Sequence, residues 1–249
     1  MVPQTERYNY QTDRLIAILF RKTDTDMGYL SFNIQIEGKL IIVVGGGRVA
    51  ERKVSNILPA GALLKVISPT LTFELQKLRD SGMITHLPRK FQPGDLDEAF
   101  MAIAATSDRE TNCSVADEAR GLGILAEITD DPSAGNVTSP AIIRQGDLSI
   151  AISTNNLAPT LAAAIKRELI PLFGSEYAKS LRLLGIVREK LLTDDGGSTY
   201  NKQVLNELAE MLPPLFASGA VGEIDKLLQK HLGQSYGLSA FAGEIEDNQ

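Results

Sequence analysis

The chain has 249 residues, and 25 Lys plus Arg against 31 Asp plus Glu give it a formal charge of −6. That length suits one large or two smaller domains, and 43% hydrophobic against 22% charged residues excludes an intrinsically disordered chain. The acidic balance leaves no footprint for nonspecific binding to nucleic acid or anionic membrane. One cysteine, Cys113, excludes an intramolecular disulfide, a zinc ribbon and a thioredoxin-type pair, so a reducing, cytoplasmic setting is expected.

Residues 1–27 read as a polar arm with one helical turn at Leu15–Phe20. That run is too short and too charged at its flanks for a signal peptide or a membrane span. From Tyr29 onward short apolar runs alternate with helical patterns. The runs Leu40–Val44, Leu63–Ser68, Ile84–Leu87, Phe100–Thr106 and Ile124–Thr129 predict strands, and Val49–Leu58, Leu71–Asp80 and Arg109–Gly121 predict helices between them. This alternation predicts an α/β fold, a Rossmann-like, mostly parallel sheet with right-handed crossovers.

The rhythm then changes. Ala141–Arg144 and Leu148–Ser153 flank a Gln145-Gly146-Asp147 turn, and Pro159 stands where the first turn of a helix through Leu169 would begin. Helical sequence follows at Tyr177–Leu192, Lys202–Met211 and Val221–Leu232, with Asp194–Ser198 and Pro213-Pro214 as predicted breaks. Leu181, Leu184 and Leu191 form an apolar stripe that reads as core. Ala242–Gln249 reads as an acidic, frayed tail.

Three segments carry chemistry. In the first, Leu40–Val44 runs into Gly45-Gly46-Gly47-Arg48-Val49-Ala50, a strand followed by G-x-G-x-x-A and a helix. Gly45 permits the tight turn, Gly47 lets a pyrophosphate approach the backbone, and Ala50 allows close helix packing, while the helix N-terminus supplies free N–H groups. The acidic residue expected at the end of the second strand is replaced by Ser68-Pro69-Thr70, which loosens the choice between NAD and NADP. The second segment, Ala104-Ala105-Thr106-Ser107-Asp108, would face the nicotinamide half, or Ser107 or Asp108 simply caps the next helix. The third, Glu127-Ile128-Thr129-Asp130-Asp131-Pro132 followed by Gly135-Asn136, is either an ordinary turn or a carboxylate placed to move protons. His86 and His231, the two histidines, read as ordinary surface or partly buried residues, and Cys113 reads as a small core residue.

These segments in this order resemble the precorrin-2 dehydrogenase family, including the N-terminal dehydrogenase/ferrochelatase module of siroheme synthase. The similarity rests on Gly45 to Lys53, Pro59-Ala60-Gly61-Ala62, Val66-Ile67-Ser68-Pro69, Ala104-Ala105-Thr106 and Asn112, and covers about residues 28–173. The resemblance implies NAD-dependent oxidation of precorrin-2 to sirohydrochlorin by a homodimer. Its domains would be a Rossmann domain at 28–138, a dimerisation region at 139–173 and a helical domain at 174–241. Ferrous-iron insertion, which some members perform, is left open, with Asp130 or Asp131 as the carboxylates to deliver the metal. The family's functional aspartate falls on Asp130, and its cofactor contacts fall on Arg48, Val49, Pro69 and Thr70. No methyltransferase domain is expected in a chain of this length.

Precorrin-2 is a polycarboxylate, so an acidic protein needs a local basic surface to hold it, and arginine forks suit carboxylates. Arg48, Arg52, Arg109, Arg144 and Arg167 are the candidates, with Asn136 and Thr154 as further substrate contacts. The chain departs from the family at Glu127, often Asn, and at Ser153 to Pro159, where Asn155-Asn156 stands for Gly-Gly. That altered loop keeps two other readings in view, a non-catalytic NAD sensor or tetrapyrrole carrier, and an assembly partner docking through its C-terminal helices.

Overall fold

The apolar run Leu40–Val44 forms β1, the central strand of a five-stranded sheet, with Ile41 to Val44 fully buried between helical layers. The computed structural model describes residues 29–194 and 202–241. The expected arm at 1–27, the residues beyond Asp194 in the expected linker and the tail at 242–249 lie outside them.

After β1 come α1 (Arg48–Ile57), β2 (Leu63–Ile67), α2 (Phe73–Asp80), β3 (Thr85–Leu87), β4 (Met101–Ala104), α3 (Arg109–Leu122) and β5 (Leu125–Ile128). The order across the sheet is β3-β2-β1-β4-β5, and every pairing is parallel. Strands buried on both faces need near-continuous apolar sequence, which is why these runs are legible. Alternate residues serve opposite layers. Ile42, Val44, Ala102, Ala104, Ala126 and Ile128 pack with Val115, Ala116 and Ala119 of α3. Ile41, Val43, Val66 and Ile103 pack with Ala50 and Val54 of α1 and Leu75 of α2. The chain crosses back from β3 to β4, which pairs with β1 on its other side, and this reversal opens a crevice between β1 and β4 at the carboxyl ends of the strands.

The chain divides into two compact units between Ala134 and Gly135. The second begins with an antiparallel hairpin of β6 (Ala141–Gln145) and β7 (Leu148–Ile152). It continues through α4 (Pro159–Leu169), α5 (Ser175–Asp194), α6 (Lys202–Ser218) and α7 (Val221–Leu232). Pro159 is at the start of α4, where its missing N–H costs nothing. Leu183, Ile186, Val187, Leu208, Leu212, Ile224, Leu228 and Phe241 form the core of the last three helices.

Three expectations need correction. Pro213-Pro214 does not break α6, which continues to Ser218; Leu208 and Leu212 before the prolines and Leu215 and Phe216 after them pack into one core, and that burial outweighs the missing backbone donors. The stripe on α5 is shifted. Leu184 and Leu191 pack against the core, but Leu181 is 39% exposed and Leu183 takes the buried position. Cys113 is exposed, because α3 buries Asn112, Val115, Ala116 and Ala119, and Cys113 falls off that face. No helix among the described residues is long and apolar enough to cross a membrane.

Candidate active site

At the carboxyl edge of the sheet lies a cavity of about 780 Å³, within the range of cofactor pockets. Its wall brings together Gly45, Gly46, Gly47, Arg48, Val49 and Arg52 from the first turn and α1, Ser68, Pro69 and Thr70 after β2, Thr106 and Ser107 after β4, and Asp130 after β5. All of these were legible as candidates in the sequence.

The three glycines do different work. Gly45 has φ +125, and a Cβ there would collide with the Ala105 carbonyl; a Cβ on Gly46 would collide with the Thr70 carbonyl. Both are required by the fold itself. Gly47 has an ordinary φ of −87, and a Cβ on it would meet no protein atom within 4 Å. Nothing in the protein fills the space beside Gly47, which lines the cavity, so a ligand can approach the backbone there. The helix ends agree with this. Thr72 caps α2 and Asp108 caps α3 through side-chain oxygens, whereas α1 has no side-chain cap at Gly47. Its first turn lines the cavity, where its N–H groups and positive dipole end could hold an anion such as a pyrophosphate.

At the end of β2, the Ser68 amide donates to the Leu87 carbonyl (3.2 Å), and the His86 Nε2–H donates to the Ser68 carbonyl (2.9 Å). His86 is thus a partly buried structural residue beneath the Ser68-Pro69-Thr70 turn. No carboxylate lines this part of the wall.

Asp108, rather than Ser107, is the cap of α3. Its Oδ1 accepts from the Glu110 amide (3.2 Å) and its Oδ2 from the Thr111 hydroxyl (2.8 Å). The Thr111 bond holds the Asp108 carboxyl below the usual carboxylate range.

Asp130 is exposed and lines the cavity. Its Oδ1 accepts a 2.8 Å hydrogen bond from Asn112 Nδ2, and among the described residues its Oδ2 has no hydrogen-bond partner. Asn112 is itself 1% exposed and bonded on all sides. Its Oδ1 accepts from the Thr106 amide (3.3 Å) and hydroxyl (2.8 Å), and its Nδ2 also donates to the Thr106 carbonyl (3.1 Å). The neighbouring Asp131 is committed locally. Its Oδ1 accepts from the Ser133 hydroxyl (2.6 Å), which, ahead of the charge of Arg109, holds its carboxyl low.

Glu127 does not join this set. Its carboxylate faces Lys53 of α1 at 2.6 Å and is absent from the cavity wall. Arg109 begins α3 outside the wall, near enough to Asp131 to act on it electrostatically. Asn136, Arg144, Thr154 and Arg167 belong to the second unit. There Asn155 and Asn156 adopt φ of +49 and +62, left-handed conformations that asparagine tolerates best after glycine. The Asn-Asn replacement therefore carries the backbone shape for which glycine is ordinarily used. The cavity also has wall residues that carry no motif, Lys90 and Phe91, from the loop after β3. Their signal was position alone, just beyond the carboxyl end of a parallel strand.

Among the described residues no group of three or more His, Cys, Asp or Glu side chains is placed to hold a metal ion. His231 is on α7 with Nδ1 3.4 Å from Glu207 of α6.

A family model described as "Putative NAD(P)-binding" matches residues 32–141, which include every wall residue of the cavity. The chain is 35% identical over 213 residues to a siroheme synthase of Photorhabdus laumondii, covering 84% of this chain and 45% of that one. It is 33% identical over 225 residues to a siroheme synthase of Pseudomonas aeruginosa, covering 88% and 47%. It thus spans about half the length of these curated relatives. The solved structure of SirC, a precorrin-2 dehydrogenase, superposes with a TM-score of 0.68 at 24% identity, over 82% of this chain and 98% of that one. This likeness shows a shared fold.

Proposed function

We propose that the chain is a member of the precorrin-2 dehydrogenase family, which includes the N-terminal module of siroheme synthase, and that it oxidises precorrin-2 to sirohydrochlorin with NAD; its 35% and 37% identity to siroheme synthases supports this reading. The observation that carries this reading is one cavity that joins an open glycine at an uncapped helix N-terminus to an exposed carboxylate. When bound, NAD supplies the acceptor for a hydride. The first-turn amides of α1 hold its pyrophosphate, and Gly47 leaves the room for it. Arg48 and Val49 flank the phosphates, Ser68, Pro69 and Thr70 line the ribose end, and Thr106 and Ser107 border the nicotinamide end.

Oxidation of precorrin-2 removes two electrons and two protons, so one hydrogen leaves as hydride and the other as a proton. Asp130 Oδ2 accepts that proton, directly or through one water, while Oδ1 stays held by Asn112. Arg52, in the cavity wall, and Arg109, at the start of α3, offer guanidinium forks to the substrate's carboxylates. The substrate roles expected for Asn136, Arg144, Thr154 and Arg167 are part of the same proposal. So are the homodimer, the cytoplasmic setting, and the division into an NAD-binding domain at 28–138, a dimerisation region at 139–173 and a helical domain at 174–241. Ferrous iron enters the proposal as a second substrate, for insertion into sirohydrochlorin.

Purified protein incubated with precorrin-2 and NAD is expected to develop the sirohydrochlorin absorbance, and a second run with ferrous iron reads out insertion. NAD binding without any spectral change would replace the enzyme with a sensor or carrier. Asp130→Ala is expected to bind NAD normally and lose turnover; a full rate in that variant would remove Asp130 from the mechanism.

A further inference from the structure

We propose that Asn112 is the positioning residue for Asp130. The proposal rests on the reading of Asp130 as the proton acceptor and names the group that aims it.

The orientation of the Asn112 carboxamide is fixed by its partners. The Thr106 backbone N–H can only donate, so the oxygen it meets at 3.3 Å is Oδ1. Nδ2 therefore faces the Thr106 carbonyl at 3.1 Å and the Asp130 carboxylate at 2.8 Å. Each of its two hydrogens has one acceptor, and Oδ1 accepts from the Thr106 amide and shares the single Thr106 hydroxyl proton with the Asp108 carbonyl (2.9 Å), so the carboxamide cannot turn over without breaking several bonds. At 1% exposure, water does not compete for those bonds.

This arrangement fixes two parts of the cavity wall with one side chain. Thr106 lies in the loop after β4 and Asp130 in the loop after β5, and both line the cavity. Asp130 is exposed and would otherwise sample its rotamers freely. The bond to Oδ1 selects one of them and leaves Oδ2 as the oxygen available to a proton. Asn112 does not itself line the cavity and meets neither the cofactor nor the substrate, so its effect on the proton transfer passes through Asp130.

Kinetics of Asn112→Ala, Asp130→Ala and the double variant with precorrin-2 and NAD test this. Asn112→Ala is expected to lower kcat by about ten- to a hundredfold, the scale of a misplaced catalytic group, while the KM for NAD changes by less than about threefold. In the Asp130→Ala background the same change is expected to add nothing. An unchanged kcat, or a loss that multiplies in the double variant, would overturn the proposal. A second measurement does not depend on folding of the Asn112 variant or on turnover. In nitrogen-15 NMR spectra the Asn112 Nδ2 hydrogens are expected to shift between the native protein and Asp130→Ala, and unmoved signals would overturn the proposal. A native protein that leaves precorrin-2 untouched while those signals shift would reject the dehydrogenase reading and retain the Asn112 to Asp130 contact.

Discussion

Lys53 Nζ lies 2.6 Å from Glu127 Oε1, and both side chains are about nine-tenths buried, at 10% and 9% exposure. The pair ties the helix after the glycine turn to the edge strand that leads into Asp130. A buried ion pair adds little net stability compared with apolar packing, but breaking one side strands a charge. Lys53→Met alone is therefore expected to lower unfolding free energy by about 3 to 5 kcal/mol. The double change Lys53→Met with Glu127→Leu is expected to recover most of that loss. Urea midpoints of the single and double variants decide the matter. A double variant as unstable as the single one would show that more than the uncompensated charge is lost.

The glycine turn separates folding from binding. Gly46→Ala forces a Cβ onto the Thr70 carbonyl, so this variant is expected to lose thermal stability. Gly47→Ala meets no protein atom and is expected to keep the native Tm while weakening NAD binding by on the order of tenfold or more, because the new methyl group occupies ligand space. Thermal melts beside NAD titrations check both outcomes. Equal NAD affinity in Gly47→Ala would mean that the pyrophosphate does not approach this backbone.

Acid is expected to loosen the loop that carries Lys90 and Phe91. Asp95 accepts a bidentate pair from Arg89 at 2.7 and 2.6 Å and a third bond from the Gln92 amide at 2.7 Å. The Arg89 bonds, the largest cause, hold its carboxyl below the ordinary range. A carboxyl depressed on folding stabilises the native state fully above its unfolded value of about 3.9, and that contribution disappears as pH falls through the lower folded value. Melting temperatures taken downward from about pH 5 should therefore fall less steeply in Asp95→Asn than in the native chain. Parallel curves would dismiss the linkage.

In α6, Pro213 and Pro214 withhold two backbone donors from a helix that continues to Ser218. Pro214 is exposed, so Pro214→Ala returns one donor without touching the core. It is expected to stabilise the chain by about 1 kcal/mol, the restored bond offset by a freer unfolded state. A lower Tm in that variant would show that Pro214 stabilises the helix it interrupts.

The parts that sequence reading reached are those with local signals. Leu40–Val44 is apolar throughout because β1 is buried on both faces, and Gly45 to Ala50 is a contiguous turn, so strand, cradle and helix were visible together. Asp130 was visible through resemblance and its place after the fifth strand. The network that holds it was hidden, since Thr106, Asn112 and Asp130 meet only when β4, α3 and β5 pack. The same applies to Lys53 and Glu127, 74 residues apart. Glu127 read as a departure beside the turn, whereas the fold directs it to a lysine and away from the cavity. Pro213-Pro214 misled because a local rule was outweighed by burial of the residues around it, and Cys113 because its face depended on which side of α3 met the sheet.

In the proposed reaction, hydride leaves precorrin-2 for NAD in the cavity between the α1 N-terminus and Asp130. The most direct test follows NADH and sirohydrochlorin together during turnover of precorrin-2 by the purified protein. Equal amounts of the two products, formed at the same rate and dependent on Asp130, are predicted. Sirohydrochlorin appearing without NADH, or neither product appearing while NAD is bound, would contradict it.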